Sequence, residues 1–119
     1  MSGRVSYLEI GAGKAQASRQ FFGDLFGWAF QSTQQPGEGW FGNHEMRIGL
    51  HGGDPTPGIL VFFEVSDMAT ARARVVELGG TADMPSPDEP GFGIFCLCTG
   101  PEGIRFGLHQ SSTERGDRS

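Results

Sequence analysis

The chain is short of positive charge. Nine basic residues, only one of them lysine, stand against fourteen acidic ones, for a formal charge of −5. Non-specific nucleic-acid binding and anionic membrane surfaces both call for a clustered basic face, so neither is an expected partner. Cysteine is nearly missing: Cys96 and Cys98 are the only two. They are too close along the chain to staple it and too few to build a zinc site. No apolar run approaches the roughly 18 residues of a membrane span, and the N-terminus lacks a basic segment followed by an apolar stretch. A cytoplasmic location is therefore expected, and the excess of arginine over lysine suggests a GC-rich bacterial host.

What is present points to a packed domain. Charged residues make up 19% of the 119 residues and apolar ones 37%, including ten Phe, which is enough for a core and too apolar for disorder. Twenty Gly are too many for a helical bundle and favour strands and tight turns.

The chain repeats itself. Val5-Ser-Tyr-Leu-Glu-Ile10 matches Leu60-Val-Phe-Phe-Glu-Val65, each reading aliphatic-x-aromatic-x-Glu-aliphatic. A helical pattern ending in Gly follows each copy, at Leu25-Phe-Gly27 and Leu78-Gly79. Each copy then closes on a matching strand, Arg47-Ile-Gly-Leu-His51 against Arg105-Phe-Gly-Leu-His109. Three matched elements in one order define two copies of a unit of roughly 55 residues.

The periods within a unit predict its elements. Residues 5–10 and 60–65 suit buried strands. In 15–26, Ala17, Phe21 and Leu25, with Phe22 and Phe26, recur at helical spacing. In 68–78, Met68, Ala71, Val75 and Leu78 do the same, with Ser66 or Asp67 as N-cap and Gly79-Gly80 as the stop. Strands are expected at about 28–33, 37–42 and 45–51, and again at 81–84, 92–98 and 104–109, with a hairpin turn at 99–103. The expected fold is α+β: module one over about 4–51, a linker at 52–58, and module two over about 59–110, together one domain spanning 1–110. Pro85 to Gly91 reads as a surface loop and 111–119 as a disordered polar tail.

A tandem strand–helix–three-strand unit resembles the vicinal oxygen chelate superfamily, which holds glyoxalase I, ring-cleaving dioxygenases and the bleomycin- and fosfomycin-resistance proteins. The detail is most similar to the glyoxalase-like branch: Tyr7-Leu-Glu-Ile, then Ser18-Arg-Gln-Phe-Phe-Gly-Asp-Leu-Phe-Gly-Trp28, and at the end Gly100-Pro-Glu-Gly103 and Phe106-Gly-Leu-His-Gln110. The resemblance implies two βαβββ modules forming a curled mixed sheet around a shared cup, and a homodimer. It also implies a test, because in the metal-dependent members each first and each last strand gives one His, Glu or Gln to a divalent ion. Those positions fall here on Tyr7 and Gly49, and on Leu60 or Phe62 and Gly107. Only Tyr7 is even a weak ligand, whereas such ions take several carboxylate or imidazole donors at about 2.0–2.2 Å. No metal and no other cofactor is therefore expected, as in the resistance-type binders.

Strand alternation reads the face that remains. Arg47, His51, Arg105 and His109 share a face with Gly49 and Gly107, while Ile48, Leu50, Phe106 and Leu108 turn to the helices. Tyr7, Glu9, Phe62 and Glu64 share the corresponding face of the first strands. Three explanations fit this polar face. Glu9 with Arg47, and Glu64 with Arg105, would be internal ion pairs. Alternatively, the Arg and Glu groups orient a small organic ligand while Tyr7, Phe62, Trp28 or Trp40 stacks on it. A third reading is a displaced metal set of Glu9, His51, Glu64 and His109.

The remaining motifs are weaker. Gly11-Ala-Gly-Lys-Ala-Gln16 opens a helix but fails both phosphate-loop templates: Leu8 stands at the first Gly of one, Ala15 at its Ser/Thr, and Gln16 at the third Gly of the other. Cys96 and Cys98 share a strand face and read as small core residues. His44-Glu45 is a candidate rim pair. The leading expectation is a small-molecule binder acting in sequestration or resistance, with Glu9, Glu64, Arg47 and Arg105 orienting the ligand and His51 and His109 beside them. The rivals are a lyase or isomerase with Glu9 or Glu64 as base, and a ligand-free structural partner.

Overall fold

The structure is a computed structural model and describes residues 3–33, 38–42 and 46–112. It is α+β and repeats one βαβββ module. The first carries β1 (Val5–Gly11), α1 (Ala15–Phe26), β2 (Phe30–Ser32), β3 (Gly39–Phe41) and β4 (Arg47–His51). The second carries β5 (Gly58–Glu64), α2 (Met68–Glu77), β6 (Thr81–Ala82), β7 (Gly93–Thr99) and β8 (Arg105–Ser111). Contacts divide the chain into two compact units, Tyr7–Leu60 and Met1–Ser6 with Val61–Ser119, so the dividing lines run through β1 and β5.

In the first unit the strands lie in the order β2-β3-β4-β1, with β4 parallel to β1 and the outer pairs antiparallel. Its core is Ile10, Ala12, Ala15, Phe41, Ile48 and Leu50, with Leu8, Phe22, Trp28 and Phe30 packed against it. Ile48 and Leu50 turn to the helix side, as alternation along a half-covered strand requires. Helix α1 ends where Gly27 takes a left-handed conformation (φ 72°) and its N–H reaches the Gly23 carbonyl, a stop that a Cβ would resist.

The second unit repeats the order as β5-β8-β7-β6, with β5 and β8 parallel. Its core is Val65, Met68, Ala71, Cys96, Cys98 and Leu108. Residues 3–4 ladder onto the end of β5 through Gly3 N–H to Glu64 O and Glu64 N–H to Arg4 O. Asp67 is the N-cap of α2, but its carboxylate accepts from Thr70 Oγ1 and leaves the backbone donors alone. The orphan N–H of Met68 is taken instead by Gln110 Oε1 at 2.7 Å, which gives a buried glutamine its role.

Some boundaries differ from the pattern reading. The second, third and sixth strands are shorter than expected. Gly58 opens β5 and does not belong to the preceding connection, and Ser111 closes β8. The helical periodicity of α1 is real, but Ala15 and Phe22 carry its inner face, while Phe21 and Leu25 are 60% and 58% exposed. Residues 113–119 and the His44-Glu45 pair lie outside the described residues. No described helix is long and apolar enough to cross a membrane.

Candidate functional site

The densest polar cluster lies in the first unit, where β1, β4 and the segment after β4 meet. Pairing sets Glu9 opposite Gly49 and Gly11 opposite His51. The two glycines form a floor: a Cβ built at Gly49 would collide with the Tyr7 hydroxyl and the Glu9 carboxylate, and one at Gly11 with the Asp54 carboxylate. Over that floor Tyr7 donates its hydroxyl hydrogen bond to Glu9 Oε1. His51 Nδ1–H donates to Glu9 Oε2 at 2.6 Å, and His51 Nε2 lies 3.2 Å from Asp54 Oδ2. The imidazole thus bridges two carboxylates.

Asp54 is held in turn. Its Oδ1 accepts from Thr56 N–H and its own N–H donates to Ala12 O, which fixes the segment against the β1–α1 connection. Partial burial lowers the His51 pKa, but hydrogen bonds and attraction from Glu9, then from Asp54, outweigh it, and the net direction is upward. The imidazolium form therefore persists to higher pH than in an ordinary histidine.

Arg47 does not pair with Glu9. It lies opposite Tyr7, and its guanidinium stacks on the Trp40 ring at 4.5 Å, so the expected ion pair is replaced by a cation–π contact. Register leaves both bases open to Glu9, which lies opposite Gly49 and two residues from each of Arg47 and His51; the carboxylate turns to His51. Trp28 packs between Phe26 and Phe41 at 4.7 and 5.3 Å, so it belongs to an aromatic cluster beside the core.

The second unit treats the matching residues differently. Its register is shifted by two: Phe62 lies opposite Gly107, whereas its counterpart Tyr7 lies opposite Arg47. The buried Phe62 ring covers Gly107 and meets Phe95 edge-on at 5.9 Å. Glu64 and His109 are direct neighbours across the strands, yet each hydrogen-bonds elsewhere. Glu64 takes Arg4 at 2.7 Å, so the expected Glu64–Arg105 pair does not form; Arg105 is exposed opposite Thr99. His109 Nε2–H donates to Phe92 O at 2.7 Å, its Nδ1 shares a 3.0 Å hydrogen bond with Ser6 Oγ, and its ring stacks on Phe92.

The positions at which the fold's metal-dependent members carry ligands do not fit a divalent ion. Gly49 and Gly107 offer no donor, and Tyr7 with Glu9 covers the first as Phe62 covers the second. Among the described residues no group of three or more His, Cys, Asp or Glu is arranged to hold a metal. Asp54 is the one member of the first-unit cluster that sequence reading passed over. Its signal was the His51-x-x-Asp54 spacing, hidden in a Gly- and Pro-rich stretch taken as linker.

Two βαβββ modules with a site on the first and last strands of a module define the vicinal oxygen chelate class. Residues 8–109 match the family model described as the glyoxalase-like domain, and the chain belongs to that family. Solved structures agree on the fold. Methylmalonyl-CoA epimerase from Streptomyces coelicolor, in complex with 2-nitronate-propionyl-CoA, superposes with a TM-score of 0.68 at 14% identity, covering 94% of this chain and 99% of that one. The Mycobacterium tuberculosis epimerase gives 0.68 at 13% identity, covering 98% and 93%. Homoprotocatechuate 2,3-dioxygenase from Brevibacterium fuscum, with 3,4-dihydroxyphenylacetate, gives 0.70 at 20% identity, covering 91% of this chain but 36% of the dioxygenase. At such identities the likeness is one of fold. No protein of curated function matches the chain.

Proposed function

We propose that the chain binds a small organic molecule on the polar strand face of its first unit, without a divalent ion, and serves in sequestration or resistance. The observation that carries this reading is the filling of the Gly49 position. Where the metal-dependent fold needs a ligand, the Tyr7 hydroxyl and the Glu9 carboxylate meet over a bare glycine, and both oxygens of Glu9 already have donors. A set satisfied in this way suits hydrogen-bonded recognition, in which Tyr7, His51 and Asp54 exchange partners with a ligand's hydroxyl or carbonyl groups. Arg47, pinned against Trp40, adds a fixed cation for a carboxylate or a polarised carbonyl.

The test is a thermal-shift and NMR screen of carbonyl, carboxylate and phenolic compounds, run with and without chelator. A hit whose resonance changes centre on Tyr7, Glu9 and His51, indifferent to chelator, supports the reading. A hit that vanishes with chelator, or shifts confined to other residues, overturns it.

The 2.6 Å Glu9–His51 contact favours a second reading, a lyase or isomerase. There Glu9 would take a proton from carbon beside a carbonyl, while the His51 imidazolium stabilises the enolate oxygen. Glu9→Gln separates the two: a binder loses affinity modestly, whereas a base catalyst loses turnover by orders of magnitude and still binds.

A further inference from the structure

His109 takes no part in the cluster around Glu9. It is only 8% exposed, and its ring is held on three sides. Nε2–H donates to Phe92 O at 2.7 Å, the ring stacks on that of Phe92 at 4.3 Å, and Nδ1 lies 3.0 Å from Ser6 Oγ. Ser6, Phe92 and His109 all fall within one compact unit.

The first of these contacts fixes the sense of the last. A carbonyl oxygen only accepts, so the ring proton sits on Nε2 and the neutral imidazole presents Nδ1 as an acceptor. The Ser6 hydroxyl therefore donates to Nδ1. A hydroxyl bonded to an imidazole whose far nitrogen is oriented by a third group is the arrangement that activates a serine nucleophile. Here the third group is a backbone carbonyl, on a turn with little freedom. Gly93, which follows Phe92, has φ 112°, and a Cβ there would collide with Gln110 O.

Ser6 also departs from the internal repeat. Matching Val5–Ile10 with Leu60–Val65 sets it against Val61, a β-branched residue of the kind strands favour. The base is buried, but Ser6 is only half-buried and follows three exposed residues, Gly3, Arg4 and Val5. Glu64, directly opposite His109, holds Arg4 at 2.7 Å, which brings a guanidinium beside the pair. A cation there favours the negative charge that develops on a carbonyl oxygen under attack.

We propose that Ser6 and His109 form a nucleophile–base pair that takes an acyl group from small esters with a good leaving group. Ser6 Oγ attacks the ester carbonyl carbon as its proton passes to His109 Nδ1. The bond between that carbon and the leaving oxygen then breaks, and the proton passes from Nδ1 to the departing oxygen. The products are an ester on Ser6 and a free phenol or alcohol. With His109 almost closed to water, hydrolysis of that ester is slow and the acyl group stays.

The test mixes the full chain with p-nitrophenyl acetate, quenches in acid and maps the acetyl group by peptide mass spectrometry. The expected result is a burst of one p-nitrophenol per chain and one acetyl group on Ser6. Ser6→Ala should abolish the burst, and a folded His109→Gln should slow it about a hundredfold or more. NMR of the wild-type imidazole nitrogens tests the pair without any variant: neutral His109 should carry its proton on Nε2 and none on Nδ1. An unlabelled Ser6, with acetyl only on Lys14 or the N-terminal amine, overturns the proposal. So does a burst that ignores His109→Gln, or a neutral His109 protonated on Nδ1.

Discussion

His51 and Glu9 are joined by a 2.6 Å hydrogen bond although they sit one rung apart on parallel strands, while Glu64 and His109, directly opposite each other in the second module, hold different partners. The difference accompanies a two-residue shift in register between the modules, with Glu64 drawn to Arg4. It concentrates titratable chemistry in the first unit, where His51 lies between two carboxylates, and makes the second-unit histidine a bracket between Ser6 and Phe92.

That placement gives stability a pH signature. The His51 pKa is raised above its unfolded value of about 6.5, so folding binds an extra proton in the interval between the two. The stabilisation is full below the unfolded pKa and is lost as pH rises through the folded one. With the His51 side chain 40% exposed, solvent screens the effect, and only a shallow decline of Tm with rising pH is expected. NMR titration should place the His51 midpoint above that of a free histidine, and Glu9→Gln should bring it down. A midpoint unmoved by Glu9→Gln would mean the bridge does not exist in solution.

Gly49→Ala tests the glycine floor. The new methyl collides with the Tyr7 hydroxyl and the Glu9 carboxylate, and neither can stay without displacing the other's partner. Both contacts are with side-chain ends, which can swing aside, so the loss falls at the low end of the about 1–3 kcal/mol of core overpacking. Denaturant unfolding should show that loss, and the His51 titration should move toward that of the Glu9→Gln variant. An alanine variant as stable as wild type, with an unchanged titration, would show that the cluster yields freely.

Much of this was legible in the sequence, for physical reasons. Strand alternation and glycine stops are local, so the strand faces, both helices and the repeat could be read directly. The split between Ile48 and Leu50 on one side and Arg47 and His51 on the other follows from the two-residue period alone. Which Glu meets which base could not be read, because the stagger of two parallel strands is set by connections distant in sequence, and in the first unit it leaves Glu9 midway between Arg47 and His51. Asp54 was masked by its neighbours Gly53 and Pro55, and the Ser6–His109 contact joins residues 103 positions apart. The outward turn of Phe21 was hidden because α1 has apolar residues on more than one edge.

Gln110→Ala should strip the cap from α2. The buried Met68 N–H now donates to Gln110 Oε1 at 2.7 Å, and alanine leaves it without a partner. An unsatisfied buried donor costs about 1–3 kcal/mol, so chemical denaturation should show a loss in that range. Gln110→Glu, which keeps an acceptor at the helix N-terminus, should recover part of it. Hydrogen exchange at Met68 gives a local check, fast in the alanine variant and slow in the wild type.

The two thiols should be silent. Cys96 and Cys98 are buried at 1% and 4% exposure, with their Sγ atoms 3.9 Å apart, and Cys96 Sγ donates to Asp83 O at 3.0 Å. Burial first, then the neighbouring Cys96 sulfur, pushes the Cys98 thiol up to about 12, so almost no thiolate exists at neutral pH. A thiol-disulfide reagent should therefore modify neither residue in the folded chain and both once denaturant is added, at a rate that follows unfolding. Rapid labelling of the native protein would mean that β7 opens locally, since the thiolate has no other route to the solvent.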